Sequence, residues 1–243
     1  FSDVAVTGTF VHSTTSARTF AGQFSGNMNL VKANTSTLTV RGGDSTMTGT
    51  LSVIGGTLVL TDGAAFTGAS QINLFGGNLQ LNNQNTIAKG DRIPDTADIM
   101  MKAAALQIYA GYQPDGYVER VGNVTAAAGT ATFYIQSAAD GGSWPVVPSG
   151  FSVASLTRLA GATVNISTYN SLLGVETYYG SPTSNYASGQ STYKSYLTLD
   201  GTAGVDMLDA TGMAPAWLTV SDYPGSAEVD FATYGSLGFK SLP

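Results

Sequence analysis

Cysteine is absent from this chain of 243 residues, which excludes disulfides and thiolate metal sites. Histidine occurs once, at His12. One imidazole without cysteine falls short of the three or four ligands a zinc site needs. A Ser-His-Asp triad would have to use it, yet Phe10-Val11-His12-Ser13-Thr14 has no acidic cluster beside it, and His12 reads as a polar residue at a strand end. Charge is scarce as well: 11% of residues are charged, against about a quarter in ordinary soluble domains. The 10 Lys and Arg residues form no cluster and the net charge is −6. Nucleic acid is therefore not an expected partner, because its binding needs a cationic footprint. No apolar run approaches the roughly 20 residues that span a bilayer, and no basic amphipathic helix is present. Membrane insertion by this segment is not expected.

What the chain has instead is glycine (30 residues), abundant hydroxyl and amide side chains, and a hydrophobic fraction of 43%. That fraction suffices for a core and argues against disorder. The pattern is repetitive. Gly55-Gly56-Thr57-Leu58-Val59-Leu60 recurs 21 residues on as Gly76-Gly77-Asn78-Leu79-Gln80-Leu81, and Leu51-Ser52-Val53 recurs as Ile72-Asn73-Leu74. Apolar residues alternate with Thr, Ser, Asn and Gln, the period of a strand with one buried face. A repeat near twenty residues with strands at fixed phase predicts stacked coils. Stacking sets Leu58 beside Leu79 and Leu60 beside Leu81, and places Gly55, Gly56, Gly76 and Gly77 at corners where φ is positive or backbones approach closely. Ordinary hairpins of an antiparallel sandwich are the second reading, but hairpins do not require a fixed register between units.

Weaker copies precede the echo. Phe24-Ser25-Gly26 with Met28-Asn29-Leu30 resembles Phe66-Thr67-Gly68 with Ile72-Asn73-Leu74, and Thr37-Leu38-Thr39-Val40 stands for Thr57-Leu58-Val59-Leu60. After residue 82 the pattern breaks. Ile99-Met100-Met101 and Leu106-Gln107-Ile108 resume it 27 residues after Ile72 and Leu79, so this coil holds an insertion around Asp91-Arg92-Ile93-Pro94-Asp95. Arg92 is expected to pair with a carboxylate and fix that corner. Strand-like runs follow at 121–124, 131–135, 155–159, 163–166, 217–220 and 229–234. The expected organisation is one elongated solenoid domain over 1–243, with regular coils over 1–168, a loop or insertion over 169–215, and closing strands over 216–243. The fold class is all-β, a right-handed parallel β-helix with an irregular tyrosine-rich loop and a β-rich C-terminal closing segment.

Candidate chemistry is thin. Asp206 with Asp209, or Glu228 with Asp230, are the carboxylate pairs available for glycoside hydrolysis; turn capping and a solvent-facing edge strand explain them more simply. Oxygen ligands for calcium occur at Gly42-Gly43-Asp44 and Asp140-Gly141-Gly142, without the glycine-aspartate nonapeptide of calcium-binding rolls. No catalytic residue, cofactor or metal is assigned. Asn34, Asn123 and Asn165 open sequons. Tyr178, Tyr179, Tyr186, Tyr193 and Tyr196 sit among Ser, Gly and Asn and offer a contact loop of rigid amphipathic rings.

The central run Gly56-Thr57-Leu58-Val59-Leu60, Phe66-Thr67-Gly68, Ile72 and Gly77-Asn78-Leu79-Gln80-Leu81 resembles the autotransporter-associated β-strand repeat of large bacterial surface proteins. Asp91-Arg92-Ile93-Pro94-Asp95-Thr96-Ala97, Ser155-Leu156-Thr157-Arg158 with Gly161-Ala162-Thr163-Val164-Asn165-Ile166, and Trp217 with Asp230-Phe231-Ala232-Thr233-Tyr234 look like later segments of its long members. Residues 167–215 match least. The resemblance implies a right-handed parallel β-helix, secretion and a cell-surface or extracellular location. It does not extend to a C-terminal membrane barrel, so self-export is not implied. Phe1 in place of Met suggests a removed leader or a segment of a longer chain.

The expected function is that of a non-enzymatic extracellular structural protein. Its open ends would pair head to tail with other copies in a fibre or sheath. Val4, Val6, Phe10, Val11 and Phe239 are the candidate assembly positions. The alternative is a carbohydrate-binding adhesin or a polysaccharide-cleaving protein, with surface glycans as partners.

Overall fold

The computed structural model describes residues 3–84, 89–110, 117–136, 148–169, 173, 177–179, 191–200, 203–221, 229–236 and 238–242. It is all-β with mostly parallel pairing. The first four units each supply three strands. They are Val4–Ala5 (β1), Gly8–His12 (β2) and Arg18–Phe20 (β3); Phe24–Ser25 (β4), Met28–Lys32 (β5) and Thr37–Val40 (β6); Asp44–Ser45 (β7), Thr50–Val53 (β8) and Gly56–Leu60 (β9); and Ala65–Phe66 (β10), Gln71–Phe75 (β11) and Gly77–Asn82 (β12). Longer strands follow: Asp98–Tyr109 (β13), Tyr117–Gln136 (β14), Pro148–Arg158 (β15) and Thr163–Tyr169 (β16). The chain ends with Thr177–Tyr179 (β17), Ser191–Leu199 (β18), a one-turn helix Ala203–Asp206 (α1), Leu218–Ser221 (β19), Asp230–Gly235 (β20) and Gly238–Ser241 (β21).

The longer strands of each unit pair in parallel with their counterparts one unit later. The register follows the echo: Leu58 faces Leu79 and Leu60 faces Leu81, and Thr37 to Val40 face Thr57 to Leu60. The insertion keeps that register, with Ile72 opposite Ile99 and Leu79 opposite Leu106. One entirely buried column therefore runs Leu38, Leu58, Leu79, Leu106, Phe133, Ile166, Val220. A parallel ladder keeps like side chains about 4.8 Å apart, so the alternation of one strand becomes a continuous apolar stack. In the second unit Leu30, not Met28, stands in line with Leu51 and Ile72, two residues off the alignment read from sequence. Aromatic rings fill the flank: Phe24 stacks on Phe20 at 4.4 Å and on Phe66 at 5.9 Å.

Two outward columns of the same ladder carry no charge. One column reads Thr37, Thr57, Asn78, Ala105, Thr132, Asn165, Thr219; the next reads Thr39, Val59, Gln80, Gln107, Tyr134, Ser167, Ser221. The sequence led us to expect a loop over 169–215, yet β18 within it continues the parallel ladder of β15, with Phe151 opposite Leu197. β17 folds back on β18 as an antiparallel pair.

The two ends differ. At the last units β20 pairs antiparallel with β19, and β21 antiparallel with β20. Gly238 packs against the Leu197 carbonyl, and the Leu199 N–H donates to the Tyr234 hydroxyl at 3.0 Å. The parallel stack is thus covered at this end, where two bare ends were expected. Phe239, expected at an assembly surface, is fully buried and meets Tyr234 edge to face at 4.8 Å. Its apolar ring is consumed in closing the core.

Candidate functional site

At the opposite end, β1, β2 and β3 pair only with β4, β5 and β6 among the described residues. Their outer edges have no strand on them. Gly8 N–H donates to Asn27 and His12 carbonyl accepts from Ala33, so the alternation of a parallel ladder turns the polar groups of Thr9 and Val11 outward. Beneath this edge lies an apolar cavity of about 320 Å³ among Val4, Phe10, Phe20, Phe24 and Leu38, with His12 and Arg18 at its rim. Val11 is 55% and Val6 41% exposed, while Val4 and Phe10 are half-buried against the core. Both ring nitrogens of His12 are buried, without a hydrogen-bond partner among the described residues. Burial first, then the Lys32 ammonium, hold its pKa below the usual imidazole range, which keeps the ring neutral. Lys32 is itself buried and donates to the carbonyls of Ala33, Asn34 and Gly55, so it locks a corner.

A second cluster forms at the inserted corner. Arg92 is fully buried. Its guanidinium donates to Asn83 Oδ1 at 3.0 and 2.6 Å and to the carbonyls of Ala64, Asp62 and Asn82 at 2.5–3.1 Å. The carboxylate expected from sequence is not its hydrogen-bond partner; carbonyl and amide oxygens are. Five donors in a rigid fork suit several oxygens at once. Glu119 is buried nearby, accepting Ile93 N–H at 2.8 Å and the Tyr117 hydroxyl. Burial pushes its pKa up to about 7, against the pull of those donors. Glu119 was not singled out from the sequence; its alternation with Tyr117 and Val121, both buried, is the signal that could have placed it inward. Apart from Asn83 Nδ2, which has no hydrogen-bond partner among the described residues, the buried groups of this cluster satisfy one another, so they brace the corner rather than await a substrate.

A third place lies on the uncharged face. Tyr109 and Tyr134 sit with ring centroids 5.5 Å apart. Tyr169, 41% exposed, stands diagonally on the next strand, opposite Gln136. Four residues back along β13, a shallow groove of about 350 Å³ is lined by Asn78, Ala103, Ala104, Ala105, Thr130 and Thr132. The groove exists because β13 bulges at Lys102–Ala104, with Ala103 at φ 43°.

No protein-family model, curated protein or solved structure matches the chain.

The remaining sequence-derived residues fall into place as follows. Asp209 accepts from Thr211 N–H, Thr211 hydroxyl and Met213 N–H, and these bonds hold its pKa below the usual carboxylate value; it caps a turn. Asp206 is exposed on α1 and Asp230 on β20, where its carboxylate accepts its neighbour's N–H. Glu228 lies outside the described residues. Asn123 donates to Asp98 and Asn34 to Ser13, while Asn165 accepts from Thr219 and Ser221, so the sequon amides serve as links between units. Tyr196 is half-buried on β18. Tyr178, Tyr179 and Tyr193 lie in strands with side chains outside the described part, and Tyr186 lies outside it altogether. Among the described residues, no three His or carboxylate groups gather at metal-binding distance.

Proposed function

We propose that this chain is a right-handed parallel β-helix of the autotransporter-associated type. In this reading it serves outside the cell as a non-enzymatic fibre or sheath subunit. The hand rests on the strong preference of parallel strand crossovers for right-handed connection. A cysteine-free chain with few charges and dense hydroxyl and amide ladders supports a structural, extracellular role over a catalytic one. The observation that carries the assembly reading is the edge of β2, with outward polar groups at Thr9 and Val11 over an apolar cavity. Unpaired edges of this kind template further strands.

The covered end changes how copies would meet. Strand continuation at both ends is not available, so the open edge of one copy meets the closing elements of another. Those elements expose Val205, Val229 and Phe231 together with Asp206, Asp209 and Asp230, facing the exposed Arg18 of the open end. A heterologous contact of this kind propagates as a filament unless it closes.

Electron microscopy and sedimentation of the native protein and of Val11→Pro test the reading. Val11 N–H faces outward, so proline there removes no bond within the chain while blocking a strand added at the edge. Filaments from the native protein and their loss in Val11→Pro are expected. Strictly monomeric native particles at high concentration would sink the proposal.

A further inference from the structure

The uncharged columns of the ladder that runs from β6 through β9 and β12 to β19 have a composition that fibre assembly does not call for. In a chain with 26 charged side chains, 10 basic and 16 acidic, its two central outward columns hold none over seven successive strands. One reading is that amide and hydroxyl ladders knit the units together, and part of the face does this: Asn78 Oδ1 accepts Ala105 N–H, and Asn165 Oδ1 accepts the hydroxyls of Thr219 and Ser221. Knitting does not account for the middle of the face. The side-chain amides of Gln80 and Gln107, adjacent in register, make no hydrogen bond to any described residue, and neither do the phenol oxygens of Tyr109 and Tyr134. Four half-exposed polar groups and two contiguous aromatic rings are therefore left to solvent rather than to the knitting of units.

The geometry points to a binding site for a neutral oligosaccharide. It would lie along β13, from the groove over Ala105 to the rings of Tyr109 and Tyr134. Groove and rings are on the same strand, four residues or about 13 Å apart at the rise of a β-strand, room for a few linked pyranose rings. Ala105 contributes a small floor and the bulge at Ala103 opens the wall, so the groove of about 350 Å³ is built into the backbone. Tyrosine presents an apolar ring face to the C–H face of a sugar and a hydroxyl to its rim. Glutamine amides supply a donor pair and an acceptor, the set that matches vicinal sugar hydroxyls. The two central columns hold no ion to compensate an acidic sugar, and the net charge of −6 disfavours one further. Burial and the neighbouring phenols raise the Tyr134 pKa to about 12, so the site carries no titrating charge at ordinary pH.

Calorimetric titration of the full chain with neutral gluco-, manno- and xylo-oligosaccharides, and with an oligogalacturonate as the acidic comparator, tests this. Saturable binding of at least one neutral series is expected at millimolar ligand or below. Tyr134→Ala and Tyr109→Ala should each weaken it about tenfold, the loss of one stacking contact, with an unchanged melting temperature. Binding should be flat between pH 5 and 9. In the native protein the side-chain amide resonances of Gln80 and Gln107 should shift on titration, a readout that survives if a variant folds poorly. Val11→Pro, which separates assembly from this site, should bind as the native chain does. Binding of the acidic series alone, no binding of any neutral series, or neutral binding that leaves both tyrosine variants and both glutamine amides unaffected would overturn the inference.

Discussion

The Glu119 carboxylate accepts the backbone N–H of Ile93 at 2.8 Å, tying β14 to the inserted corner one unit before it, and both residues are buried. Burial raises the pKa of Glu119 from 4.5 to about 7. The folded state thus holds a proton that the unfolded chain releases, so stability is highest below pH 4.5 and falls as pH rises to about 7. The full shift corresponds to about 3 kcal/mol. His12 works the other way: its lowered pKa costs stability as pH falls through 6.5. The informative measurement is therefore the difference in unfolding free energy between native protein and Glu119→Gln, followed from pH 4.5 to 8. The native chain should lose stability relative to the variant across that window; a pH-independent difference would remove Glu119 as the cause.

Arg92 satisfies Asn83 Oδ1 and three carbonyls from inside the core. Arg92→Met takes the guanidinium from the three carbonyls and leaves Asn83 Oδ1 with only the Lys89 N–H at 3.1 Å, an expected loss of about 3–5 kcal/mol. Arg92→Lys should recover only part of it, because one ammonium cannot reach oxygens that a planar fork spans. Urea unfolding of both variants checks the order. Equal stability of Arg92→Lys and native protein would mean that the fork geometry is immaterial.

Leu79 and Gln80 are neighbours on β12 with opposite fates. Leu79 lies in the continuous apolar column and Gln80 on the uncharged face. Leu79→Ala should cost about 2–5 kcal/mol, since the strands above and below hold the cavity open. Gln80→Ala should stay within about 0.5 kcal/mol. Chemical denaturation of the pair tests the assignment of faces.

The sequence carried this much of the fold because period-two alternation and a conserved offset between copies translate directly into ladder register. Leu58 against Leu79 and Ile72 against Ile99 are one inference repeated. The closed end was not legible for a matching reason. Antiparallel pairing of Val220 with Asp230 and the burial of Phe239 on β21 depend on two successive chain reversals, and reversals that each occur once leave no repeat to read. The corner was half legible. Arg92 stood out as a charge in an insertion, but its acceptors are main-chain carbonyls and an asparagine, which carry no charge signal. The paired tyrosines Tyr109 and Tyr134 escaped notice because they lie 25 residues apart and meet only through the ladder.

Gly56 and Gly76 are the second glycine of one pair and the first of the next, and they share a left-handed backbone but not its surroundings. Both have positive φ, 62° and 81°. In register, however, Gly56 faces Gly77, so the left-handed residue falls one position apart in the two units. A Cβ on Gly56 would land on the Ser36 carbonyl oxygen, whereas one on Gly76 meets nothing nearer than the Ile54 oxygen at 3.9 Å. Gly76→Ala should therefore cost only the conformational term, about 1 kcal/mol. Gly56→Ala adds a backbone clash that must push two units apart, for a total of about 2–4 kcal/mol. Thermal unfolding of the two alanine variants measures the gap. Equal losses would mean that the units yield freely at this corner, and that the close approach at Gly56 does not constrain their spacing.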